Sequence, residues 1–234
     1  MPRNTSLSGP AHAARLLACL AFVGVCVVAD AAHAQCPETT LQFPYLGTLT
    51  VATPTFDVNS PDTGWIRGDH HTGEFSLHHC GSLSPTVCRA LDRYDVTGVP
   101  PGTLVPVTVR LSIDAFAETG GCGGSGCCGF LRATVRAGRD TATAAGVGQT
   151  FGGRAGFHLD VEVPITMIAG TPREIEIEMY SRRCAGGAHT VDGTGRLEFV
   201  GTDPDAAVKS CKGFGPYAVP VRGFSWGSLK TLYR

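Results

Sequence analysis

Apolar and polar residues alternate strictly through several separate stretches of the chain. The clearest stretch runs from Val105 to Ala117, in which apolar side chains occupy every second position. A period of two places successive side chains on opposite faces of a strand, so each such stretch predicts a half-buried β-strand. The other stretches are Leu131 to Val135, Phe157 to Ile165, Ile175 to Met179, and the pair Leu197 and Phe199.

No convincing amphipathic helix separates these stretches, and 31 glycines and 15 prolines supply turn residues between them. Shorter alternating segments between Thr39 and Ile66 predict additional outer strands. Strands with one apolar face pack best as two antiparallel sheets face to face. The predicted fold is therefore an all-β, two-sheet antiparallel sandwich of jelly-roll or immunoglobulin-like type, with a small barrel as the second choice.

A hairpin is predicted where Ala169-Gly170-Thr171-Pro172 supplies turn chemistry between two alternating runs. Such a hairpin places Glu162 opposite Glu178, with Glu174 and Glu176 on the same outer face. Like charges that face each other across a sheet are destabilising unless a cation lies between or beside them. One interpretation is a divalent-cation site, with calcium as the ion. The favoured interpretation is a solvated face whose glutamates pair with Arg132, Arg136 or Arg196.

The first 34 residues have the pattern of a signal peptide. Arg3 and Arg15 precede a short apolar run, and Ala32-His33-Ala34 provides a cleavage pattern, which places cleavage near Ala34. We therefore expect a secreted or cell-surface protein, with the periplasm as an alternative, and no transmembrane helix in the mature chain. The expected layout is a signal peptide at 1–34, a sandwich domain at 35–214, and a linker with a short basic tail at 215–234.

Cleavage would remove two of the ten cysteines and leave eight, an even number in an exported chain. Four disulfides are the simplest prediction, although eight thiols allow 105 pairings. Three of the cysteines lie in the glycine-rich stretch Thr119 to Gly129, for which a metal loop is the alternative to a disulfide knot. The candidate disulfide cysteines are Cys36, Cys80, Cys88, Cys122, Cys127, Cys128, Cys184 and Cys211.

Two histidine pairs lie close together in the sequence. They are His70, His71, His78 and His79. Imidazole and thiolate groups are the ligands that zinc and copper prefer, so these residues form a candidate metal site. A metal-dependent extracellular enzyme that uses this cluster is the alternative function.

Catalytic signatures are otherwise missing from the sequence. Gly223 to Gly227 matches the G-x-S-x-G pattern of a nucleophile elbow, but only seven residues follow and none is histidine. The formal net charge of −1 argues against nucleic acid as a partner. We therefore expect a non-catalytic protein without a cofactor, which binds a cell-surface component or a polysaccharide. Trp65 and Tyr94 are the candidate carbohydrate-binding side chains.

The last ten residues combine apolar and basic side chains at roughly helical spacing. Two hypotheses remain open for this tail, which either docks to sorting machinery or packs back onto the sandwich. The candidate docking residues are Trp226, Leu229, Lys230, Tyr233 and Arg234.

Three segments carry a resemblance to a known group of proteins. They are Tyr94-Asp95-Val96-Thr97, Gly195-Arg196-Leu197-Glu198-Phe199 and Ser210-Cys211-Lys212-Gly213-Phe214. With the Gly- and Cys-rich turns between them, they resemble the secreted bacterial β-sandwich proteins of the PEP-CTERM type over roughly residues 90–214. We expect the chain to lack that group's Pro-Glu-Pro and membrane anchor, since residues 225–234 are similar to the W-G-x-[LIV]-K-x-x-Y-R endings of other exported bacterial proteins. The resemblance implies an extracellular or surface role, in matrix or adhesion, and carries over no catalytic residue.

Overall fold

A computed structural model of the chain describes residues 36–60, 63–81, 84–120, 127–150, 153–183, 188–201, 203–215 and 217–218. Within these ranges the protein is all β, and no helix is present that is long and apolar enough to cross a membrane. The signal-peptide prediction and the predicted docking tail lie outside the described residues.

The strands are short at the N-terminal end of the fold and long in its centre. Their bounds are β1 Thr39–Phe43, β2 Gly47–Val51, β3 Thr55–Ser60, β4 Gly64–Asp69, β5 Glu74–Cys80, β6 Thr86–Thr97, β7 Leu104–Gly120, β8 Cys127–Ala137, β9 Asp140–Thr150, β10 Gly153–Ile168, β11 Arg173–Arg183, β12 Ala188–Gly201, β13 Ala207–Ser210 and β14 Tyr217–Ala218.

These strands form two antiparallel sheets packed face to face, so the predicted two-sheet sandwich is confirmed. The eight-stranded sheet has the order β14-β13-β6-β11-β8-β9, and β1 joins it by pairing with β6 and with β2. The six-stranded sheet has the order β10-β7-β12-β5-β4-β3. All five sequence stretches with strict alternation lie within β7, β8, β10, β11 and β12.

The core lies between the inner faces of the two sheets. Leu111 and Ile113 from β7 and Leu131 from β8 have no exposed surface, and Met179 from β11 is equally enclosed. Complete burial of one such side chain contributes about 1.5–3 kcal/mol relative to an exposed one. Because each central strand contributes several of these side chains, the alternating pattern alone fixes which face of every central strand points inward.

The hairpin predicted between Ile165 and Ile175 does not form, and this prediction is wrong. β10 pairs along its whole length with β7, whereas β11 pairs with β6 and β8 in the other sheet. Gly170 has a φ of 77°, and the turn there carries the chain from one sheet to the other with only a single bridge between Ile168 and Thr171. β10 and β11 therefore pair with strands other than each other, and both pairings are longer than the expected hairpin.

A disulfide between Cys36 and Cys211 joins the segment before β1 to the turn after β13. It closes a loop of 175 residues, and a cross-link of this length restricts the unfolded chain strongly, with a typical effect of about 2–5 kcal/mol. Cys80 and Cys88 are free thiols, which corrects the expectation that all the mature cysteines pair. Cys88 is enclosed in the core, where burial raises the pKa of its thiol to about 12. The side chains of Cys122, Cys127, Cys128 and Cys184 lie outside the described residues.

Candidate functional site

The outer face of the six-stranded sheet carries a row of side chains in register across five strands. Trp65 on β4 is opposite His78 on β5, and His78 is opposite Asp192 on β12. Asp192 is in turn opposite Phe116 on β7, which is opposite Gly156 on β10. We call this row the outer band. Strand neighbours lie about 4.8 Å apart, so the outer band extends for about 19 Å.

At one end of the outer band, the Trp65 ring is parallel to the His78 ring. The centroids are 5.7 Å apart, with an interplanar angle of 9°. The Arg67 guanidinium lies over the Trp65 ring at 4.4 Å and also pairs with Asp57 at 3.0 Å. Arg67 and Asp57 are more than half exposed, so a ligand can displace the guanidinium at the modest cost of an exposed cation–π contact, about 0.5–1 kcal/mol.

In the middle of the outer band, His78 and Asp192 form a short hydrogen bond. The Nδ1–H of His78 donates to Oδ1 of Asp192 at 2.6 Å, and the side chains are 25% and 40% exposed. The bond fixes the orientation of the imidazole and leaves Nε2 on its other side as a second polar group. On the next row along the strands, the Ser76 hydroxyl donates to that of Thr194 at 3.3 Å.

Phe116 forms the other end of the outer band and is 40% exposed. A Cβ added at Gly156 would stand 3.1 Å from the Phe116 ring, so the absence of a side chain at this position leaves room for the ring. Arg154 lies over the ring at 4.1 Å. Sequence analysis missed Phe116, although an aromatic residue at an outward position of an otherwise alternating strand is a signal that could have revealed it.

A second group of polar side chains lies beside the outer band, on β7 and β10. His158 bonds to Asp114 at 2.8 Å and lies 3.2 Å from Asp160. The hydrogen bond to Asp114 raises the pKa of His158, and a hydrogen bond from Ser112 lowers the pKa of Asp160. The outer face thus offers further exposed hydrogen-bonding groups beside the Phe116 end of the outer band.

A different polar assembly lies inside the sandwich, next to the disulfide. We call Thr39, His70, Asp92 and Lys212 the buried cluster. The Lys212 ammonium donates to the Thr39 hydroxyl at 2.9 Å and to the Leu91 carbonyl at 3.0 Å. Nε2 of His70 lies 2.9 Å from the Thr39 hydroxyl and 3.3 Å from Nζ of Lys212. The backbone N–H groups of Lys212 and Arg93 donate to the Asp92 carboxylate.

Burial is the largest cause of the pKa shifts in the buried cluster. It lowers the pKa of His70 to about 3, with the charge of Lys212 adding to the effect. It also raises the pKa of Asp92 and lowers that of Lys212. Neutral His70, with Nε2 accepting and Nδ1 protonated, satisfies the contacts of Thr39 and Lys212. Nδ1 of His70 then faces Oδ2 of Asp92 at 3.6 Å, which is too long for a hydrogen bond.

The four histidines proposed as metal ligands do not converge. His70 belongs to the buried cluster, and exposed His71 contacts the Gly213 carbonyl at 3.2 Å. Adjacent positions on a strand point to opposite faces. His78 therefore faces outward and His79 faces inward, where it bonds to Thr86 at 2.9 Å. Within the described residues no group of three His, Cys, Asp or Glu side chains is arranged to hold a metal. In the part of the chain that the structure describes, these four histidines therefore form no shared zinc or copper site.

The predicted acidic face is divided between the two sheets, so its four glutamates do not come together as the calcium hypothesis requires. Glu162 pairs with Arg110 on the six-stranded sheet. Glu174 and Glu176 pair with Arg93 and Arg136 on the other sheet. Compensation by arginine, the favoured interpretation, is confirmed for Arg132 and Arg136, whereas Arg196 contacts Glu198 instead.

Glu178 shows how strong this compensation is. Its carboxylate is 2% exposed and accepts hydrogen bonds from Arg89 at 2.7 Å and Arg132 at 2.9 Å. Burial by itself would raise the pKa of Glu178, but the arginine hydrogen bonds outweigh it and the pKa is lowered. The outer face of the eight-stranded sheet is therefore held together by its own ion pairs.

Tyr94 is not available to a ligand, which corrects one half of the carbohydrate hypothesis. It is 2% exposed and packs against Phe199, with ring centroids 4.7 Å apart, and against Phe214. Burial raises the pKa of Tyr94 well above its usual range. Tyr94 is thus a core residue, and Trp65 alone of the two predicted side chains lies on an outer face.

No protein-family model matches this chain, and no curated protein is significantly similar to it.

Proposed function

We propose that the chain is an exported, non-catalytic β-sandwich protein of the cell surface or extracellular matrix, which binds a polysaccharide through the outer band. The observation that carries the proposal is the combination of two partly exposed aromatic rings with an imidazole and a carboxylate between them. Sugar units present apolar C–H faces as well as hydroxyl groups. Aromatic rings complement the former, and planar hydrogen-bonding side chains complement the latter.

The shape of the outer band supports a polymer as the ligand. Its groups are spread across five strands on an open sheet face, at right angles to the strand direction. A row of about 19 Å suits consecutive units of an extended chain better than one small molecule. On the outer face of the eight-stranded sheet Glu174, Glu176 and Glu178 are paired with arginines, and we infer that the six-stranded sheet is the binding face because it carries the outer band.

Export is supported by the signal-peptide pattern of residues 1–34 and by the Cys36–Cys211 disulfide, since such bonds persist in oxidising compartments. The resemblance to secreted β-sandwich proteins of the PEP-CTERM type favours a matrix or adhesive role. The basic tail that contains Trp226 and Tyr233 would then serve as the element that docks to sorting machinery.

Affinity electrophoresis through gels that contain a neutral or an acidic soluble polysaccharide tests the proposal. We expect retarded migration of the parent protein, and about tenfold weaker retention for Trp65→Ala and for Phe116→Ala, because each removes a stacking surface. Tyr180→Ala is the matched control, since Tyr180 is an aromatic residue on the outer face of the other sheet. Free migration in every polysaccharide, or equal retention of all variants, would refute the proposal.

A further inference from the structure

Among the described strands, β2 lies at an edge of the eight-stranded sheet. It pairs with β1 on one side, and no described strand pairs with its other side. Its first four residues are exposed and its last is half-buried. Tyr45 and Leu46 in the preceding turn are 79% and 47% exposed, and Leu49 is 37% exposed. Three of the seven exposed large apolar side chains of the described residues thus lie in one hairpin at the edge of the eight-stranded sheet.

β2 also lacks the charges that usually keep an edge strand from pairing with another chain. No charged residue occurs from Pro44 to Phe56. By contrast, β10 at one edge of the six-stranded sheet carries Arg154, His158 and Asp160, and β3 at the other edge carries Asp57. An uncharged edge fits an uncharged strand, because a charged partner would lose water without gaining an ion pair.

The sequence around β2 is close to symmetric about Leu49. Thr48 and Thr50 flank Leu49, and Pro44 and Pro54 stand at equal distances on the two sides. We propose that a second copy of this chain pairs with β2 in antiparallel register, with the two-fold axis at Leu49. In that register Leu49 faces Leu49 of the partner subunit, and Thr48 faces Thr50 of the partner subunit. Proline cannot donate to a ladder, so Pro44 and Pro54 end the pairing at both sides.

In this register both the backbone groups and the side chains of β2 gain partners. The unpaired backbone groups of β2 gain hydrogen bonds, and the threonines form cross-strand pairs of a favourable kind. Leu49 is opposite Leu41 in the β1–β2 pair, and Leu41 is completely buried. Two opposed Leu49 side chains therefore extend the core of one copy toward that of the other. The two-fold axis uses the same edge in both copies, so assembly stops at a dimer.

The size of the contact predicts a weak dimer. Five strand residues and the hairpin turn on each side fall in the class of small interfaces, below about 1,200 Å² in total, which is typical of reversible association. A dissociation constant in the micromolar range is therefore expected. Such a dimer would present two outer bands on one particle, which would strengthen attachment to a polymer with repeated sites.

Sedimentation velocity of the purified protein from about 1 µM to about 200 µM tests the proposal, because this range brackets a micromolar dissociation constant. We expect a shift from monomer to dimer with concentration, and at least a tenfold weaker dimer for Leu49→Lys, which opposes two like charges across the axis. Thr143→Lys is the matched control, because Thr143 is an exposed residue on another uncharged stretch of edge strand, in β9. A monomer at every concentration, larger assemblies without a dimer, or a dimer unaffected by Leu49→Lys would overturn the proposal.

Cross-linking provides a measurement that does not depend on a disruptive variant. Leu49→Cys places two thiols opposite each other across the axis, so mild oxidation with oxidised glutathione should produce a covalent dimer on a non-reducing gel. The parent protein and Thr143→Cys, treated in the same way, control for the native thiols. Equal yields of covalent dimer in all three proteins would contradict the register. Polysaccharide retention without dimer formation would leave the proposed function intact and remove this inference alone.

Discussion

The protein contains two histidine–aspartate pairs in opposite surroundings. His70 and Asp92 lie inside the sandwich, each 1% exposed, with Nδ1 and Oδ2 3.6 Å apart. His78 and Asp192 lie on the outer band, with Nδ1 and Oδ1 2.6 Å apart and substantial exposure. Water can hydrate the polar groups of the second pair, whereas it does not reach those of the first. The inner pair therefore requires Lys212, Thr39 and backbone groups around it, whereas the outer pair needs no further partner.

Because of this difference, we expect the inner pair to affect the free energy of unfolding and the outer pair to affect the proposed binding. An ionised group in the interior is tolerated only when partners replace its water, and removal of one partner leaves the other uncompensated. A pair at the surface contributes little to folding, because solvent already stabilises both groups. The inner pair is thus part of the scaffold that the disulfide fastens, and the outer pair is free to exchange its water for a ligand.

The largest effect is expected from Lys212→Met. The variant removes the ammonium and leaves the Asp92 carboxylate buried, so the free energy of unfolding should fall by about 3–5 kcal/mol in urea titrations near neutral pH. Lys209→Met, an exposed lysine on β13, is the matched control and should change stability by less than about 0.5 kcal/mol. Equal stability of the two variants would show that the buried cluster does not need its cation.

A smaller effect is expected from acidification. The pKa of His70 is lowered from 6.5 to about 3, so its contribution is complete above pH 6.5 and is lost as the pH falls toward 3. Each unit by which the pH falls in this range lowers the free energy of unfolding by about 1.4 kcal/mol. The loss between about pH 6.5 and about pH 5 is therefore about 2 kcal/mol. His70→Gln should remove this slope in urea titrations at several pH values, and parallel pH profiles for the parent and His70→Gln would contradict the assignment.

His158 supplies a control of opposite sign for that experiment. Its hydrogen bond to Asp114 raises its pKa, so its contribution is present below pH 6.5 and is lost as the pH rises through the higher folded value. His158→Gln should therefore leave the acid-induced loss in place. A loss of the slope in both variants would point to a general effect of net charge.

The smallest effect on folding is expected from Asp192→Asn. Because the pair with His78 is solvent-exposed, the free energy of unfolding should change by less than about 1 kcal/mol. Polysaccharide retention should nevertheless weaken by about tenfold, because the imidazole loses the group that orients it. Unchanged retention in affinity electrophoresis would remove His78 and Asp192 from the proposed binding site while leaving the aromatic rings in it.

The sequence predicted most of the long strands correctly, because alternation is a local signal that survives in any sheet with one buried face. The pairing of strands, by contrast, joins residues that are far apart in the sequence. The turn at Gly170 has the composition of a hairpin, but packing of two sheets allows the chain to cross between them instead. Glu162 and Glu178 were expected to oppose each other for this reason and lie on different sheets.

Side-chain sites were predicted less well than strands. Trp65 was identified and lies on the outer band, whereas Phe116 was missed and Tyr94 proved to be buried. The grouping of the histidines followed their proximity in sequence, but alternation sends His78 and His79 to opposite faces. The Cys36–Cys211 bond could not be chosen from sequence, because its two ends are 175 residues apart.

The sequence by itself determined that this protein is all β, with one apolar face on each central strand, since alternation acts through neighbouring residues. Only the tertiary structure decided which strands pair, which His–Asp pair is enclosed, and which aromatic rings meet solvent. Those properties depend on contacts between residues far apart in the chain, and burial then sets whether the same two side chains support the fold or remain accessible at the surface.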